Sequence, residues 1–351
     1  MAQSGVPTID ALIDDLNAPP IINTGGDRPA VSVVQDLLRA HGVSGMPRQG
    51  DAAHGSFGPT TTAAVRNFQQ THGLPIVPAG NPQVATVDGA TLRTLATAPT
   101  QGNATPTASR GYLTLTLGFP FTGMVRVMSV TTEFEGGGRF NAQNRNTDGA
   151  GLSYGLIQWA QKPKRLHDIV SAFQTEEPQL FASIFGDGDA TLAQRMVAHT
   201  NRTNGGVANN GATTDPLFNL IANPWTGRFS RAALSPALQQ VQVRTALAAF
   251  RNSFEILQGF ASDITSERGV AFMLDVANQH GDAGARSIFR TVHQAQPSLS
   301  GDGLLAALAN ESVRRVAAQF GANSPEARST RTRRDAFRLT PLLSDATFDP
   351  A

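Results

Sequence analysis

Two glutamates, three consecutive glycines and a further acid crowd into one stretch, EFEGGGRFNAQNRNTDGAGLSYGLIQW, residues 133–159. Helical spacing ranks the glutamates. Met124, Met128, Thr131 and Glu135 share one stripe of a helix predicted over 123–135, whereas Arg126, Ser129 and Glu133 share another. The first stripe is predicted to face a core. The second is predicted to face solvent, with Glu133 pairing with Arg126 or staying solvated. Glu135 then emerges from an apolar wall at a helix C-terminus, where desolvation and the negative end of the dipole both favour a carboxylic acid. A general acid needs those surroundings near neutral pH. Gly136, Gly137 and Gly138 end the helix and leave room for a bulky ligand, although a plain flexible turn has the same composition. Asp148, thirteen residues beyond Glu135, sits in Asn146-Thr147-Asp148-Gly149 and by itself reads as a turn former. Tyr154 and Trp159 offer ring faces, and Gln158 an amide, of the kind that contact sugars; for Trp159 core packing is an equal alternative.

The elements around this stretch are predicted to be mainly helical. Apolar spacing gives short helices over 9–16, 31–38, 61–71 and 88–96, the last three forming a small three-helix bundle with Gly42 and Gly73 as stops. Beyond it, helices are predicted over 163–173, 190–199, 236–260, 267–280, 303–320 and 324–337. Tyr112 to Phe119 alternates apolar and Thr residues, which predicts a strand or an extended lead-in, and a small β-hairpin region is predicted after Gly136. The expected division is an N-terminal arm over 1–27, a binding module over 28–98, a linker over 99–111 that is small, polar and Pro-containing, and a second domain over 112–351.

Bulk properties narrow the function classes. The 351 residues suffice for two cores, with 40% hydrophobic and 16% charged residues. A net charge of +1 gives no nucleic-acid footprint. With no cysteine, thiolate metal sites, disulfides and cysteine nucleophiles are absent together. The seven histidines lack H-E-x-x-H spacing, so neither a metal nor a cofactor is expected. Gly151-Leu-Ser153-Tyr-Gly155 fits a G-x-S-x-G elbow in letters, but the polar loop before it suits a hairpin better than a nucleophile strand. No apolar run approaches about 18 residues, so no membrane insertion is expected. The N-terminal residues lack the pattern of a secretory signal, which predicts delivery by phage lysis, a secretion system or another release route. Arg328, Arg331, Arg333, Arg334 and Arg338 read as a solvated helix face.

Residues 30–97 resemble the peptidoglycan-binding domains of wall hydrolases. The matching blocks are Val34-Gln35, then Gly55-Ser-Phe57-Gly58-Pro-Thr-Thr-Thr62-Ala-Ala64-Val65-Arg-Asn-Phe68-Gln69, Gly73-Leu74-Pro75, and Asp88-Gly89-Ala-Thr91 with Leu95. His54 stands where the family usually carries Asp, and residues 77–84 lengthen the last loop. Further on, Glu135-Gly-Gly-Gly-Arg-Phe-Asn141-Ala142 with Gly155-Leu156-Ile157-Gln158 is similar to blocks of soluble lytic transglycosylases and goose-type lysozymes. Phe134-Glu135, Asp148-Gly-Ala-Gly151-Leu-Ser153-Tyr-Gly155 and Leu274-Asp275-Val-Ala-Asn-Gln-His280-Gly281 resemble blocks of bacterial chitosanases.

The resemblance implies a lysozyme-like α+β domain dominated by helices. In it Glu135 would act as general acid, Asp148 as general base, and Ser153 as the hydroxyl holding the attacking water. Asn141, Asp275 and His280 would join Tyr154, Gln158 and Trp159 at the substrate, although His280 also reads as a structural helix-end residue. Ala150 replaces an Arg that chitosanases carry, which weighs against chitosan. The expected activity is hydrolysis of the β-1,4 glycan strand of peptidoglycan, in the manner of a muramidase or endolysin, by a monomer acting at the cell wall without nucleic-acid partners. A lytic transglycosylase using Glu135 alone, a chitosanase and a non-catalytic wall-binding component are the alternatives.

Overall fold

The computed structural model describes residues 4–15, 18–19, 21–22, 27–76, 85–100, 104–145, 149–162, 164–200 and 215–351. The chain is mainly helical, and it divides into two compact units: Met1–Phe121 with Glu135–Thr245, and Thr122–Phe134 with Ala246–Ala351. Among the described residues no helix is long and apolar enough to cross a membrane.

In the first unit the helix Arg28–Ala40 is the centre of the N-terminal module. Its apolar side chains Val31, Val33, Val34, Leu37 and Leu38 are wholly buried, and they leave no solvent-facing stripe because neighbours cover several sides. Those neighbours are the helices Pro59–Thr71, Gly89–Leu95 and Pro7–Asp14, together with the turn beginning at Tyr112. Two buried amides join the loops to this frame. Gln35 accepts from the Gly55 amide at 2.7 Å and donates to the Ser56 carbonyl at 2.9 Å, while Gln69 donates to the Thr86 carbonyl at 2.7 Å. Asp88 caps the last short helix by accepting from the Thr91 amide at 2.8 Å.

The segment expected as an arm carries the helix Pro7–Asp14, with Ile9 and Leu12 wholly buried, and Ile21–Ile22 pairs antiparallel with Thr86–Val87. Of the segment expected as a linker, residues 104–111 are equally integrated. Ala104, Thr107, Ala108 and Ser109 are buried, and the Thr105 amide donates to the Ala40 carbonyl at 3.1 Å. Small side chains read as flexibility in a sequence, yet here they permit close approach of backbones.

The expectation of a strand or an extended lead-in over 112–119 is corrected. Tyr112–Thr116 forms one helical turn with i to i+5 bonding. Tyr112, Leu113, Thr114 and Leu115 are all buried, so the alternation of Leu and Thr does not mark an inside and an outside. Packing on several sides overrides β-propensity at this point.

The rest of the first unit holds a three-stranded antiparallel sheet, Gln143–Arg145, Leu152–Tyr154 and Trp159–Ala160, with Leu152–Tyr154 central. Helix Arg165–Glu176 packs on it, and helices Pro178–Gly186, Ala190–His199 and Trp225–Ala232 pack with that helix or with one another. A run of rings forms the core: Tyr154 to Phe229 at 4.9 Å between centroids, Phe229 to Phe185 at 5.0 Å, and Phe185 to Phe181 at 5.0 Å.

The second unit consists of helical segments. The helix Gly123–Gly136 begins in it, Pro236–Gln258 ends in it, and Glu267–Ala295, Gly301–Phe320 and Pro325–Leu339 complete it. Glu267–Ala295 is interrupted at Gly281, whose backbone leaves the helical region at φ 71 and ψ 163. Asp275 is wholly buried there. Its carboxylate accepts from Arg333 Nε at 2.7 and 3.0 Å, and also pairs with Arg334. The reading of the arginine run as a solvated face therefore fails at these two positions, since Arg334 is wholly buried and Arg333 points at Asp275. An Asp275→Asn chain keeps the shape but leaves two guanidiniums short of their counter-charge. Breaking a buried pair costs about 3–5 kcal/mol, so equilibrium denaturation should show a loss of that order, and a change under about 1 kcal/mol would refute the dependence.

Candidate functional site

The helix Gly123–Gly136 is buried along most of its length, with Met124, Val127, Met128, Val130 and Thr131 wholly shielded. Ser129 is buried as well, against the expectation of a polar outer stripe. Arg126 is exposed and pairs with Glu267 rather than Glu133. Glu133 and Glu135 are both half-buried, so burial alone does not separate them. Position does: Glu135 occupies the last turn, directly before the glycines.

Three short segments converge on that turn. The Gly155 amide donates to the Ala142 carbonyl at 2.8 Å, which ties the Asn141–Ala142 turn to the Gly155–Gln158 turn. Gln158 is half-buried with a left-handed backbone at φ 53, and its amide nitrogen donates to the Gly155 carbonyl at 2.9 Å. A Cβ on Gly136 would lie 2.8 Å from Ala142 Cβ and 3.8 Å from Gln158 Nε2. A glycine at 136 thus lets the helix end, the Asn141–Ala142 turn and the Gln158 side chain meet. On the other side, the Gly138 carbonyl accepts from the Ala108 amide at 2.7 Å, and Arg139 pairs as an isolated bridge with Thr107.

Amides from the helix Pro236–Gln258 lock this arrangement. Gln242 is wholly buried, donates to the Phe140 carbonyl at 3.1 Å and accepts from the Leu156 amide at 3.1 Å. Gly155 has φ 77, and a Cβ there would fall 2.4 Å from Gln242 Oε1. Gln161 works similarly, accepting from the Leu152 amide at 3.1 Å and donating to the His199 carbonyl at 2.6 Å. Sequence reasoning passed over both glutamines. The available signal was polar residues at positions in phase with the apolar face, as Gln239 and Gln242 are with Val243 and Ala246.

The other expected site residues fall in several places. Asp148 lies outside the described residues. Ser153 sits in the central strand opposite Asn144 and Ala160 and is buried, while Asn141 is half-buried beside the glycine turn. Tyr154 is corrected from a sugar contact to a core residue. It has no exposed ring face, and its hydroxyl donates to the Phe229 carbonyl at 3.0 Å. Burial pushes its phenol well above the ordinary range, against an opposing effect of the Gln242 amide. Trp159 is 2% exposed on the edge strand opposite Tyr154, so the core alternative holds for it too.

Asp275, wholly buried and held by two arginines, likewise has no surface for substrate. His280 is half-buried in the second unit, with its Nε2 2.9 Å from Ser312 Oγ. That hydroxyl accepts from Arg334 Nε at 3.1 Å, so its own hydrogen is best used toward the His280 ring. Burial, aided by Arg315 and Arg333, holds the imidazole below its ordinary value. His280 is therefore a structural residue in this arrangement.

Residues 27–77 match the family model described as "Putative peptidoglycan binding domain". No curated protein matches the chain. Among solved structures the chain is similar to a native chitosanase from Bacillus subtilis MY002, at 12% identity, covering 62% of this chain and 88% of that one, with a TM-score of 0.43.

Two outcomes check these placements. Tyr154→Phe should lower stability by about 1 kcal/mol, the value of one buried hydrogen bond, and leave saccharide affinity unchanged; a large loss of affinity would restore the sugar-contact role. For His280, the unfolded chain takes up a proton near 6.5 and the folded chain only at lower pH. Stability therefore falls as pH drops below about 6.5 and levels off beneath the folded value. His280→Asn should flatten that slope in thermal melts, leaving the part due to His41, which burial also holds low; an unaltered slope would contradict this role. By the family match, residues 27–77 form a module similar to peptidoglycan-binding domains.

Proposed function

We propose that the protein is a cell-wall glycosidase that cleaves the β-1,4 glycan strand of peptidoglycan, with Glu135 as general acid. One observation carries the reading: a half-buried glutamate ends a helix at a glycine turn that shares a compact unit with a peptidoglycan-binding module. The half-buried position gives Glu135 both access to a ligand and partial shielding from water. The glycines admit a bulky sugar beside it, and the Gln242 and Gln158 amides hold the flanking turns still.

In the reaction, Glu135 gives its proton to the glycosidic oxygen as the bond to the anomeric carbon breaks. Asp148 takes a proton from a water that attacks the anomeric carbon from the opposite face, so one water is consumed per bond. Ser153 assists that water in the proposal. Such an inverting pair needs carboxyls about 6.5–9.5 Å apart. Residues 28–98 would hold the insoluble substrate and 112–351 would act on it, with 99–111 joining them. Attachment raises the local concentration of scissile bonds.

Glu135→Gln should reduce turnover of purified peptidoglycan by about 10²–10⁴-fold while sedimentation with the wall is retained. Full activity in that variant would sink the assignment. Mass spectrometry of the wild-type products sorts the remaining readings. Hydrated reducing ends support hydrolysis, anhydro-muramyl ends a lytic transglycosylase without a base, and release from chitosan alone a chitosanase. Binding without any product would identify a non-catalytic wall protein.

A further inference from the structure

A cavity of about 420 Å³ within the first unit is lined by the N-terminal module on one side and by the glycine turn on the other. Three guanidinium side chains line it, Arg39, Arg48 and Arg139, alongside Thr107, Gly136 and Gly137, and no acidic residue does. Arg39 is 9% exposed. Its Nη2 donates to Thr107 Oγ1 at 3.2 Å and stands 3.7 Å from the buried Asp36 carboxylate. Its Nε and Nη1 are buried and have no hydrogen-bond partner among the described residues. Buried guanidinium N–H groups are costly to leave unpaired, and a ligand oxygen is one way to complete them.

The other two cations meet at Gly137. A Cβ at that position would lie 3.9 Å from both Arg48 Nη1 and Arg139 Nε, so the missing side chain leaves a space flanked by two guanidiniums. Arg139 is oriented by its Nε donating to the Gly136 carbonyl at 3.0 Å. Both arginines are exposed and within reach of a ligand arriving from solvent. Asp36, which also contacts His54, and Asp51, whose carboxylate accepts from the Arg48 backbone amide at 2.7 Å, bring two negative charges near three positive ones. The cavity therefore favours an anion, and guanidinium forks match the planar oxygens of a carboxylate. Its volume exceeds what a simple ion fills and suits a short peptide.

We infer that this cavity binds a carboxylate of the peptide substituent on a glycan strand, which places the strand beside the turn that follows Glu135. The inference rests on the wall-glycan reading above and adds a site shared by the module and the residues after the catalytic helix. It would make the module a part of substrate positioning as well as an anchor.

Titration calorimetry on the full chain tests it, using a soluble disaccharide–tetrapeptide, the same fragment with amidated carboxyls, and inorganic phosphate. Arg48→Ala and Arg139→Ala are the variants, since both side chains are exposed, and buried Arg39 beside Asp36 is left alone. Each substitution should weaken binding of the native fragment about tenfold. Amidation should cost affinity in the wild type and cost nothing in the double variant. The proposal is overturned if amidation costs the same in both proteins, or if phosphate displaces the fragment at matched concentration, which would reassign the site to a phosphate polymer. The titration measures no turnover, so a chain that binds the fragment as expected but cleaves no glycan would refute the hydrolase reading and leave this site standing.

Discussion

The Gln242 side chain is wholly buried and uses both ends of its amide, one on the Phe140 carbonyl and one on the Leu156 amide. Those two backbone groups belong to adjacent turns at one end of the small sheet, where Gln143 pairs with Tyr154, and the turn at Gly155 can sit this close only without a Cβ. A single neutral side chain thereby sets the distance between the end of the Glu135 helix and the Gly155–Gln158 turn. Each bond contributes about 0.5–1.5 kcal/mol net, but losing the amide would strand a buried donor and a buried acceptor at about 1–3 kcal/mol each. The asymmetry explains why an amide serves here: it satisfies one group of each kind, which no carboxylate or guanidinium does.

The molecule's fixed charges are placed differently. In the second unit Asp275 draws two arginines into a network that is buried at Asp275, Arg334 and Ser312 and reaches the surface at Gln279, an arrangement that specifies packing. In the first unit the arginines around the glycine turn are open to solvent or under-bonded. The same residue type thus serves order around Asp275 and openness around the glycine turn.

Much of the fold was legible from spacing. Helices at 190–199, 236–258 and 301–320 follow apolar periodicity closely, and glycines mark the ends of the module's helices. The glycine turn at the end of the helix Gly123–Gly136 was legible too, and the module was readable from its Gly-Ser-Phe-Gly block, which lies inside the matched residues 27–77. The misreadings share one cause. Periodicity reports which residues share a face and says nothing of what covers it. Ser129 lies on a polar stripe that a neighbour buries, and Tyr154 and Trp159 oppose each other across a strand pair whose outer face is covered. Arg334 belongs to a charge run yet finds Asp275 fifty-nine positions away in sequence. Long-range partners of that kind leave no local trace.

The buried segment after residue 104 alters how the module can serve the site. A free tether raises local concentration but imposes no direction, since its ends sample many separations. Here Thr105 is bonded to Ala40, Ala108 to Gly138, and Thr107 to Arg39, so the chain between module and glycine turn is held from both sides. Under the proposed function, a strand bound by the module would meet the turn at a restricted set of offsets. Orientation of that kind converts binding energy into positioning, and it contributes to rate only when the reacting bond falls within a near-attack separation. The close approach of small residues at 104–109, which composition alone presents as slack, is the physical basis of that restriction.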